Sequence, residues 1–275
     1  MKLKSIDYPF VLLTSAMNGG AQGEKGPAEV RIASIRGQVR AWHSRIGLSP
    51  ACDEVWGCAT DGAVTASRVA LSLLPHPPIQ QLEQPAFILP HHDGGGTRPA
   101  VKRDQTFTLR LTRLIGCTAA HWEAAQKALK IWLLLGGFGL RSARAAGSVW
   151  PLGAWVPTDE TTLRSTLLTL GLRNVSVATA GLSAGADAGT LRKTASDTVE
   201  EIAVFGSIRP RTPSPTKFKV ARLATGHCLI VTADQRPVPI RGVTKPMIQH
   251  AEFMLNNKPQ PARWAALGTW NHLIP

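Results

Sequence analysis

The order of apolar patterns along the 275 residues predicts an α+β fold. Two segments show the three- and four-residue spacing of amphipathic helices, two others alternate apolar and polar residues as half-buried strands do, and two more are strand-like. Before residue 155 they follow the order strand, helix, strand, strand, helix, strand. This order is typical of a ferredoxin-like (RRM-like) βαββαβ domain, in which two helices cover one face of an antiparallel sheet. We expect the other sheet face to be free to bind.

The first strand and first helix are predicted on either side of a glycine-rich loop. "KLKSIDYPFVLLT" is strand-like, and regular structure is not expected in the following "NGGAQGEKGPAE". In "SIRGQVRAWHSRI" an apolar stripe predicts a helix, and Ser34 is placed to cap it. The stripe consists of Ile35, Val39, Trp42 and Ile46. The opposite face carries Arg36, Arg40 and His43.

The remaining elements of the first half include a long insertion. "TASRVALSLL" and "QTFTLRLTRL" alternate apolar and polar residues and are predicted as strands. The Pro- and Gly-rich segment from Pro75 to Pro99 lies between them and predicts a long exposed excursion. The second helix is predicted from a Thr118 cap to the glycine pair after Leu135, and "GSVWPL" supplies the fourth strand.

The second half has a weaker pattern and predicts a reduced ferredoxin-like unit. "DETTLRSTLLTLGLR" is helical, and "ATAGLSAGADAGT" is expected to be a flexible loop or linker. "TKFKVARLATGHCLIVTAD" predicts a hairpin that turns at Thr225-Gly226, and a last helix is expected to begin at Thr244. We therefore expect two domains, residues 1–155 and 156–275.

The charge of the chain favours a polyanionic partner. Its 31 Lys and Arg residues against 18 Asp and Glu residues give a net charge of +13, and the pI is about 10.3. The sequence contains no uninterrupted apolar run long enough to span a membrane, and its four cysteines form no CxxC pair. We expect a cytoplasmic protein without a metal site or cofactor.

The glycine-rich stretch "WLLLGGFGLRSARAAGSVW" is the most informative motif. A nucleotide-binding loop places its glycines at a helix N-terminus, where the helix dipole attracts phosphate. Here the glycines follow a helix C-terminus, and the chain has no GK[ST] sequence. The two remaining interpretations are a simple helix C-cap and a loop that lies along a nucleic-acid backbone, with Arg141 and Arg144 as phosphate donors.

Four stretches, in order, resemble the RAMP superfamily, the RNA-binding subunits of CRISPR effector complexes. The family loop, in a form like "LGGLGxRxRRGxGS", typically follows the second helix of a ferredoxin-like unit, and this chain has "LGGFGLRSARAAGS" there. The family's "SSIRGxLRxW" helix start resembles "ASIRGQVRAW". "DEVWGCATDGAVTASRVAL" is similar to the family's E-x-x-FG step, and "RPRTPSPTKFKV" is similar to its RxxSPxxFKV stretch. The resemblance is strongest to the large subunit that caps the far end of Cmr-type (type III-B) complexes.

This resemblance implies a ribonucleoprotein subunit of antiviral defence, with guide RNA, target RNA and neighbouring RAMP subunits as its partners. The target-cleaving relatives carry an aspartate in the loop before the first helix, and residues 18–34 contain none, so the resemblance implies a binder without a catalytic residue. Ala145 replaces one arginine of the family loop. The expected RNA-binding residues are Arg31, Ser34, Arg36, Gly37, Arg40, His43, Gly136, Gly137, Gly139, Arg141, Ser142, Arg144, Ser148, Arg211 and Lys217.

Two other functions remain open at this point. The CRISPR-RNA-processing relatives typically use a helix-borne histidine, and His43 beside Arg36 and Arg40 could activate a 2′-hydroxyl as a metal-independent endoribonuclease does. An unrelated basic scaffold protein would have a similar composition. Four tryptophans outside the helical stripes are candidates for stacking on bases. They are Trp150, Trp155, Trp264 and Trp270.

Overall fold

The structure is a computed structural model of the full chain. It describes residues 3–20, 23–60, 63–88, 96–183, 185–197, 207–208, 211–212, 214–235, 246–257 and 269–275. Two four-stranded antiparallel sheets form its framework, one in each half of the chain.

The described residues of the first half form ten strands and three helices. The strands are β1 Ser5–Leu12, β2 Gly19–Gly20, β3 Gly23–Ala28, β4 Cys58–Thr60, β5 Ala63–Thr65, β6 Val69–Leu73, β7 Ala86–Phe87, β8 Thr97–Arg98, β9 Thr106–Arg113 and β10 Val149–Pro151. The helices are α1 Ile32–Ile46, α2 Cys52–Trp56 and α3 Ala119–Leu135.

The first sheet has the order β10-β1-β9-β6, and all neighbouring strands are antiparallel. Its register follows the predicted alternation: Tyr8 lies opposite Leu109, and Phe10 lies opposite Phe107, with all four side chains buried. Helices α1 and α3 pack on each other and on this sheet. The predicted strand–helix order of the first half is therefore confirmed.

Two local predictions in the first half were wrong, and one local feature was not predicted. The glycine-rich "NGGAQGEKGPAE" contains the short hairpin β2–β3. At the base of this hairpin, Asn18 Nδ2 donates a hydrogen bond to the Glu29 carbonyl oxygen at 2.7 Å. Ser34 is the third residue of α1 and not its cap; Arg31 holds the cap position, and no side chain caps the helix there. The excursion after β6 is partly ordered, since β7 pairs with β8.

The end of α3 and its start agree with the prediction. Thr118 caps the helix by accepting a hydrogen bond from the His121 backbone amide. The helix ends at Leu135, and the Gly136 amide donates to the Trp132 carbonyl at 2.7 Å. This termination places the glycine-rich stretch at the edge of the first sheet, beside β1 and β10.

In the part of the second half that the structure describes, there are three helices and six strands. The helices are α4 Glu160–Thr169, α5 Ala188–Asp197 and α6 Met247–Asn257. The strands are β11 Val175–Ser183, β12 Ser207–Ile208, β13 Arg211–Thr212, β14 Thr216–Leu223, β15 Gly226–Asp234 and β16 Asn271–Ile274. The second sheet has the order β14-β15-β11-β16 and is antiparallel throughout.

The second half is more complete than its sequence predicted. From β11 onward, the helices α5 and α6 alternate with the four sheet strands in the same βαββαβ order as in the first half. The stretch predicted as a linker was assigned wrongly: its first part is the end of β11 and its last part is the start of α5. The hairpin turns at Ala224-Thr225, since Leu223 pairs with Gly226, and Thr244 lies outside the described residues.

Buried side chains of both halves form one contiguous core. The cluster runs from Phe10 and Trp132 in the first half to Phe218 and Ile230 in the second. Helix α4 belongs to this cluster through Leu163 and Leu167, which are fully buried. Because no solvent layer divides the cluster, we expect the halves to unfold together.

We predict that Leu167→Ala lowers the unfolding free energy of the whole chain by about 2–5 kcal/mol, because it opens a cavity in the shared core. Urea unfolding followed by tryptophan fluorescence and by far-UV circular dichroism should give one coincident transition that shifts as a unit. The matched control is Thr169→Ala, an exposed position at the end of the same helix, which should change stability by less than about 0.5 kcal/mol. Two separate transitions would contradict the shared core.

Candidate nucleic-acid interface

Two arginines of α1, Arg36 and Arg40, make structural hydrogen bonds to the neighbouring helix α2. The Arg36 guanidinium donates to the Trp56 carbonyl through Nη2. Arg40 donates from Nη1 to the Gly57 carbonyl at 2.6 Å and from Nη2 to Asp53 Oδ1 at 2.9 Å. Both arginines therefore hold the C-terminus of the short helix α2 against α1.

Three other predicted positions on α1 differ in exposure. Arg31 is exposed at the start of the helix, and Ser34 is half-buried in its first turn. Gly37 lies on the exposed face, and a Cβ added there would meet no atom within 4 Å. Arg31 is thus the basic residue of this helix that the structure leaves open to solvent and without a side-chain partner among the described residues.

His43 was predicted on the basic face, and this placement was wrong. The side chain is 0% exposed, and Nδ1 accepts a hydrogen bond from Trp56 Nε1 at 3.2 Å, while Nε2 lies 2.9 Å from the Pro50 carbonyl oxygen. Burial lowers the pKa of His43, so the ring is neutral and donates from Nε2 to Pro50. Its contacts fix the α1–α2 connection, and no RNA hydroxyl can reach it.

The glycines of residues 136–148 are required by close packing of the backbone. A Cβ on Gly137 would lie 2.6 Å from the Gly147 carbonyl oxygen, and one on Gly139 would lie 2.7 Å from that of Met17. Gly147 has φ of +62°, and its Cβ would lie 1.9 Å from the Phe138 carbonyl oxygen. The glycine loop, residues 136–148, is therefore a folded structure and not a flexible strap.

The glycine loop is attached along the edge strand β14. The Ala145 amide donates to the Phe218 carbonyl and the Phe218 amide donates to the Ala143 carbonyl, both at 3.0 Å, which makes a parallel bridge around Arg144. Ser148 Oγ accepts from the Val220 amide at 3.0 Å and donates to the Ala145 carbonyl at 2.9 Å. Ser148 is thus buried, and both of these hydrogen bonds lie within the protein.

Arg144, which the sequence suggested as a phosphate donor, is also buried. It is 3% exposed, and Nη1 donates to the carbonyls of Ala143 and Thr216 and to Ser214 Oγ at 3.0–3.2 Å. Burial, with a smaller contribution from the charge of Arg141, lowers the pKa of Arg144 to about 9. Its role is to join the glycine loop to the second half of the chain.

Lys219 supplies a further buried contact at the start of the glycine loop. Its amine donates to the Leu133 carbonyl in the last turn of α3 and lies 5.5 Å from the centre of the Trp150 ring. The side chain is 2% exposed, and burial lowers the pKa of Lys219 well below that of a free lysine. This contact caps the carbonyl end of α3 and sets the position from which the glycine loop departs.

Arg141 is the cation of the glycine loop that remains available. Its φ is +62°, an unfavourable conformation for a residue with a side chain, and the folded loop maintains it. The guanidinium is half-buried, burial lowers its pKa, and it has no hydrogen bond or ion pair with the residues that the structure describes. Ser142 beside it is also half-buried, and the preceding Leu140 is 46% exposed.

The remaining predicted positions are Lys217 in β14, Arg211 in β13 and Gly136 at the end of α3. Lys217 is half-buried near the Arg45–Asp234 ion pair, where burial and the charge of Arg45 lower its pKa to about 8. Arg211 lies in the short hairpin β12–β13, but its side chain is outside the described residues. Gly136 leaves no room for a Cβ, which would lie 2.4 Å from the Trp132 ring.

Sequence reasoning missed two other residues beside the glycine loop. Arg192 on α5 donates to the Phe87 carbonyl at 3.3 Å, and Phe87 is 46% exposed. Phe87 stands in a Pro-rich stretch without periodicity, so no pattern marked it.

Two of the tryptophans proposed for stacking, Trp150 and Trp270, are buried at 2% and 3% exposure.

The arrangement of the described residues also bears on metal binding and on membrane insertion. Among them, no group of three His, Cys, Asp or Glu side chains is placed to hold a metal ion. In the same part of the chain, no helix is both long and apolar enough to cross a membrane.

Comparison with solved structures identifies the fold. The crystal structure of Cmr1 from Pyrococcus furiosus in its apo form superposes with a TM-score of 0.65 over 100% of this chain and 99% of that chain, at 15% identity. The chain has the fold of Cmr1. The α+β fold with antiparallel sheets that the RAMP resemblance implies is thereby confirmed, at the level of the fold alone.

Two cryo-EM structures of type III-B Cmr-beta contain chains with the same kind of similarity. One is bound to cognate target RNA and gives a TM-score of 0.50 at 10% identity, over 85% of this chain and 94% of that one. The other is bound to cognate target RNA and AMPPnP in the presence of ssDNA, and it gives 0.52 at 11% identity, over 92% and 99%. No family model and no curated protein matches the chain.

We predict that Gly147→Ala destabilises the protein by about 2 kcal/mol or more, because the Cβ would both meet the Phe138 carbonyl and occupy a positive-φ backbone. The matched control is Gly37→Ala, in an exposed helix interior with open space around it, which should stabilise by about 0.5–1 kcal/mol. Urea unfolding of the three proteins measures both effects. Equal stability of the Gly147 variant and the unsubstituted protein would contradict the close packing.

The neutral, buried state of His43 predicts a pH-dependent stability. Its folded pKa is lowered, so below about pH 6.5 the unfolded chain binds a proton that the folded protein does not, and stability falls as the pH falls. The loss is at most about 1.4 kcal/mol per pH unit. Unfolding free energies between about pH 7.5 and pH 5.5 should decline less steeply for His43→Gln than for the unsubstituted protein. Identical slopes would show that His43 does not titrate in this way.

Proposed function

We propose that this chain is a non-catalytic RNA-binding subunit of a type III CRISPR ribonucleoprotein, and that it holds guide RNA at one end of the complex. In this proposal it consists of two ferredoxin-like domains, residues 1–155 and 156–275, and contacts a neighbouring RAMP subunit and the guide–target duplex. The Cmr1 fold and the target RNA bound to the related Cmr-beta assemblies support this assignment. The excess of 31 basic over 18 acidic residues is in keeping with an RNA partner.

The observation that carries the proposal is Arg141. Its guanidinium stands on a folded loop, half-buried and without an ion pair to the described residues, which is a costly arrangement unless an anion joins it. A phosphate would accept charge-assisted hydrogen bonds from it, and partial burial would strengthen them. Because a phosphate is the same in every nucleotide, such a contact positions the strand without reading its sequence.

The endoribonuclease alternative has less support. The histidine that it requires is 0% exposed and already bonded to Trp56 and Pro50. A general base must come within hydrogen-bond reach of the hydroxyl that it activates. Incubation of the purified protein with repeat-containing RNA in the absence of metal should therefore leave the RNA intact.

We predict that Arg141→Gln weakens the binding of single-stranded RNA and reduces the slope of log affinity against log salt by about 0.7, the value for one phosphate contact. Fluorescence anisotropy across a salt series measures both quantities. The matched control is Arg222→Gln, an exposed arginine near the turn of the β14–β15 hairpin, which should leave the slope unchanged. Unchanged affinity and slope for the Arg141 variant would refute the assignment of the loop to RNA.

The variant Arg144→Gln separates a structural from a direct role. Arg144 is buried among carbonyl groups of the loop and β14, so its replacement should lower stability as well as affinity. Arg141→Gln should lower affinity alone, because its side chain has no hydrogen bond to the described residues.

A further inference from the structure

Three chain segments meet on one side of the glycine loop. Leu140 pairs with Met17 through the backbone, and the Leu140 amide donates to the Met17 carbonyl at 2.7 Å. A small apolar cluster then joins Met17 and the glycine loop to the β7–β8 hairpin. It consists of Met17, Ala86, Ala100 and Ala146, with Leu82 and Ile88 packed against it. The surface formed by residues 140–142, 86–88 and Arg192 is called the hairpin surface below.

Helix α5 forms the third side of the hairpin surface. Arg192 Nη2 donates to the Phe87 carbonyl at 3.3 Å, and burial lowers the pKa of this arginine. Among the described residues, this carbonyl is the only hydrogen-bond acceptor of Arg192, and no carboxylate pairs with it. Arg192 therefore resembles Arg141: each is a half-buried cation that no carboxylate of the described residues pairs with.

Two large apolar side chains are exposed on the same surface. Phe87 and Leu140 are each 46% exposed, although both adjoin buried members of the apolar cluster. A surface that carries an exposed aromatic ring and two cations without a carboxylate partner among the described residues fits a ligand that offers both flat apolar faces and negative charge. Single-stranded nucleic acid has this chemistry, whereas a paired duplex keeps its base faces stacked inside.

We propose that the hairpin surface binds one unstacked base of single-stranded RNA on the Phe87 ring, with Arg192 and Arg141 on the flanking phosphates. This inference rests on the proposed function and extends it from the glycine loop to the hairpin and α5. The hydrogen bond from Arg192 to the Phe87 backbone carbonyl joins α5 to the residue that carries the ring, so both groups are available to the same strand. The site selects single strands over duplexes and is indifferent to base identity.

The test compares ligands that share charge but differ in bases. The full-length protein is titrated with oligouridylate, with an RNA duplex of equal length, and with inorganic polyphosphate of similar charge. We expect Phe87→Leu, which keeps apolar bulk but removes the ring, to weaken oligouridylate binding about tenfold. The same variant should leave polyphosphate and duplex affinities unchanged.

Arg192→Gln should weaken both oligouridylate and polyphosphate and reduce the salt slope for oligouridylate by about 0.7. Arg222→Gln serves again as the control. Equal losses of Phe87→Leu for polyphosphate and oligouridylate would overturn base stacking, and an unchanged salt slope for Arg192→Gln would overturn the phosphate contact.

The outcome for Arg141→Gln separates this inference from the proposed function. If the unsubstituted protein binds RNA and only the Arg141 variant is impaired, the proposed function stands and the hairpin surface is refuted. If the unsubstituted protein binds none of the three ligands, both are refuted. Urea unfolding of each variant verifies that the losses of affinity do not reflect unfolding.

Discussion

The backbone of the glycine loop is paired with the edge strand β14 on both sides of Arg144. The Ala145 amide donates to the Phe218 carbonyl, and the Phe218 amide donates to the Ala143 carbonyl. The loop therefore adds one parallel bridge at the edge of the second sheet. An edge strand presents unpaired amides and carbonyls that must be satisfied or shielded. Here the first half supplies the partner, and the same bonds fix the shape of the loop and join the halves.

Three buried polar side chains join the halves beside this pairing. Ser148, Arg144 and Lys219 all reach across it, to the Val220 amide, the Thr216 carbonyl and the Leu133 carbonyl respectively. Burying cations is costly, and removing one partner would leave the other groups unsatisfied. These contacts make the loop rigid and hold Arg141 at a positive φ. Little conformational freedom is therefore lost when a ligand binds to the loop.

The sequence predicted the elements of the first half because their patterns are local. The stripe of α1, the Thr118 cap and the strand alternation each depend on residues close together in the chain. The second half was less evident, since glycine and alanine in "ATAGLSAGADAGT" favour flexibility, and strand pairing with β15 overrides that preference. Its complete sheet depends on contacts between residues far apart in sequence, which no local pattern contains.

The candidate site shows the same division. The sequence located the glycine loop but could not rank its arginines, because only the pairing with β14 decides that Arg144 is buried and Arg141 is not. Ala145 illustrates the reason: it is fully buried at φ of +61°, and its carbonyl accepts from both Thr14 and Ser148. A long cationic side chain at this buried position would have to displace packed neighbours. The alanine thus belongs to the packing that directs Arg141 outward, and it concentrates the accessible charge of the loop on a single residue.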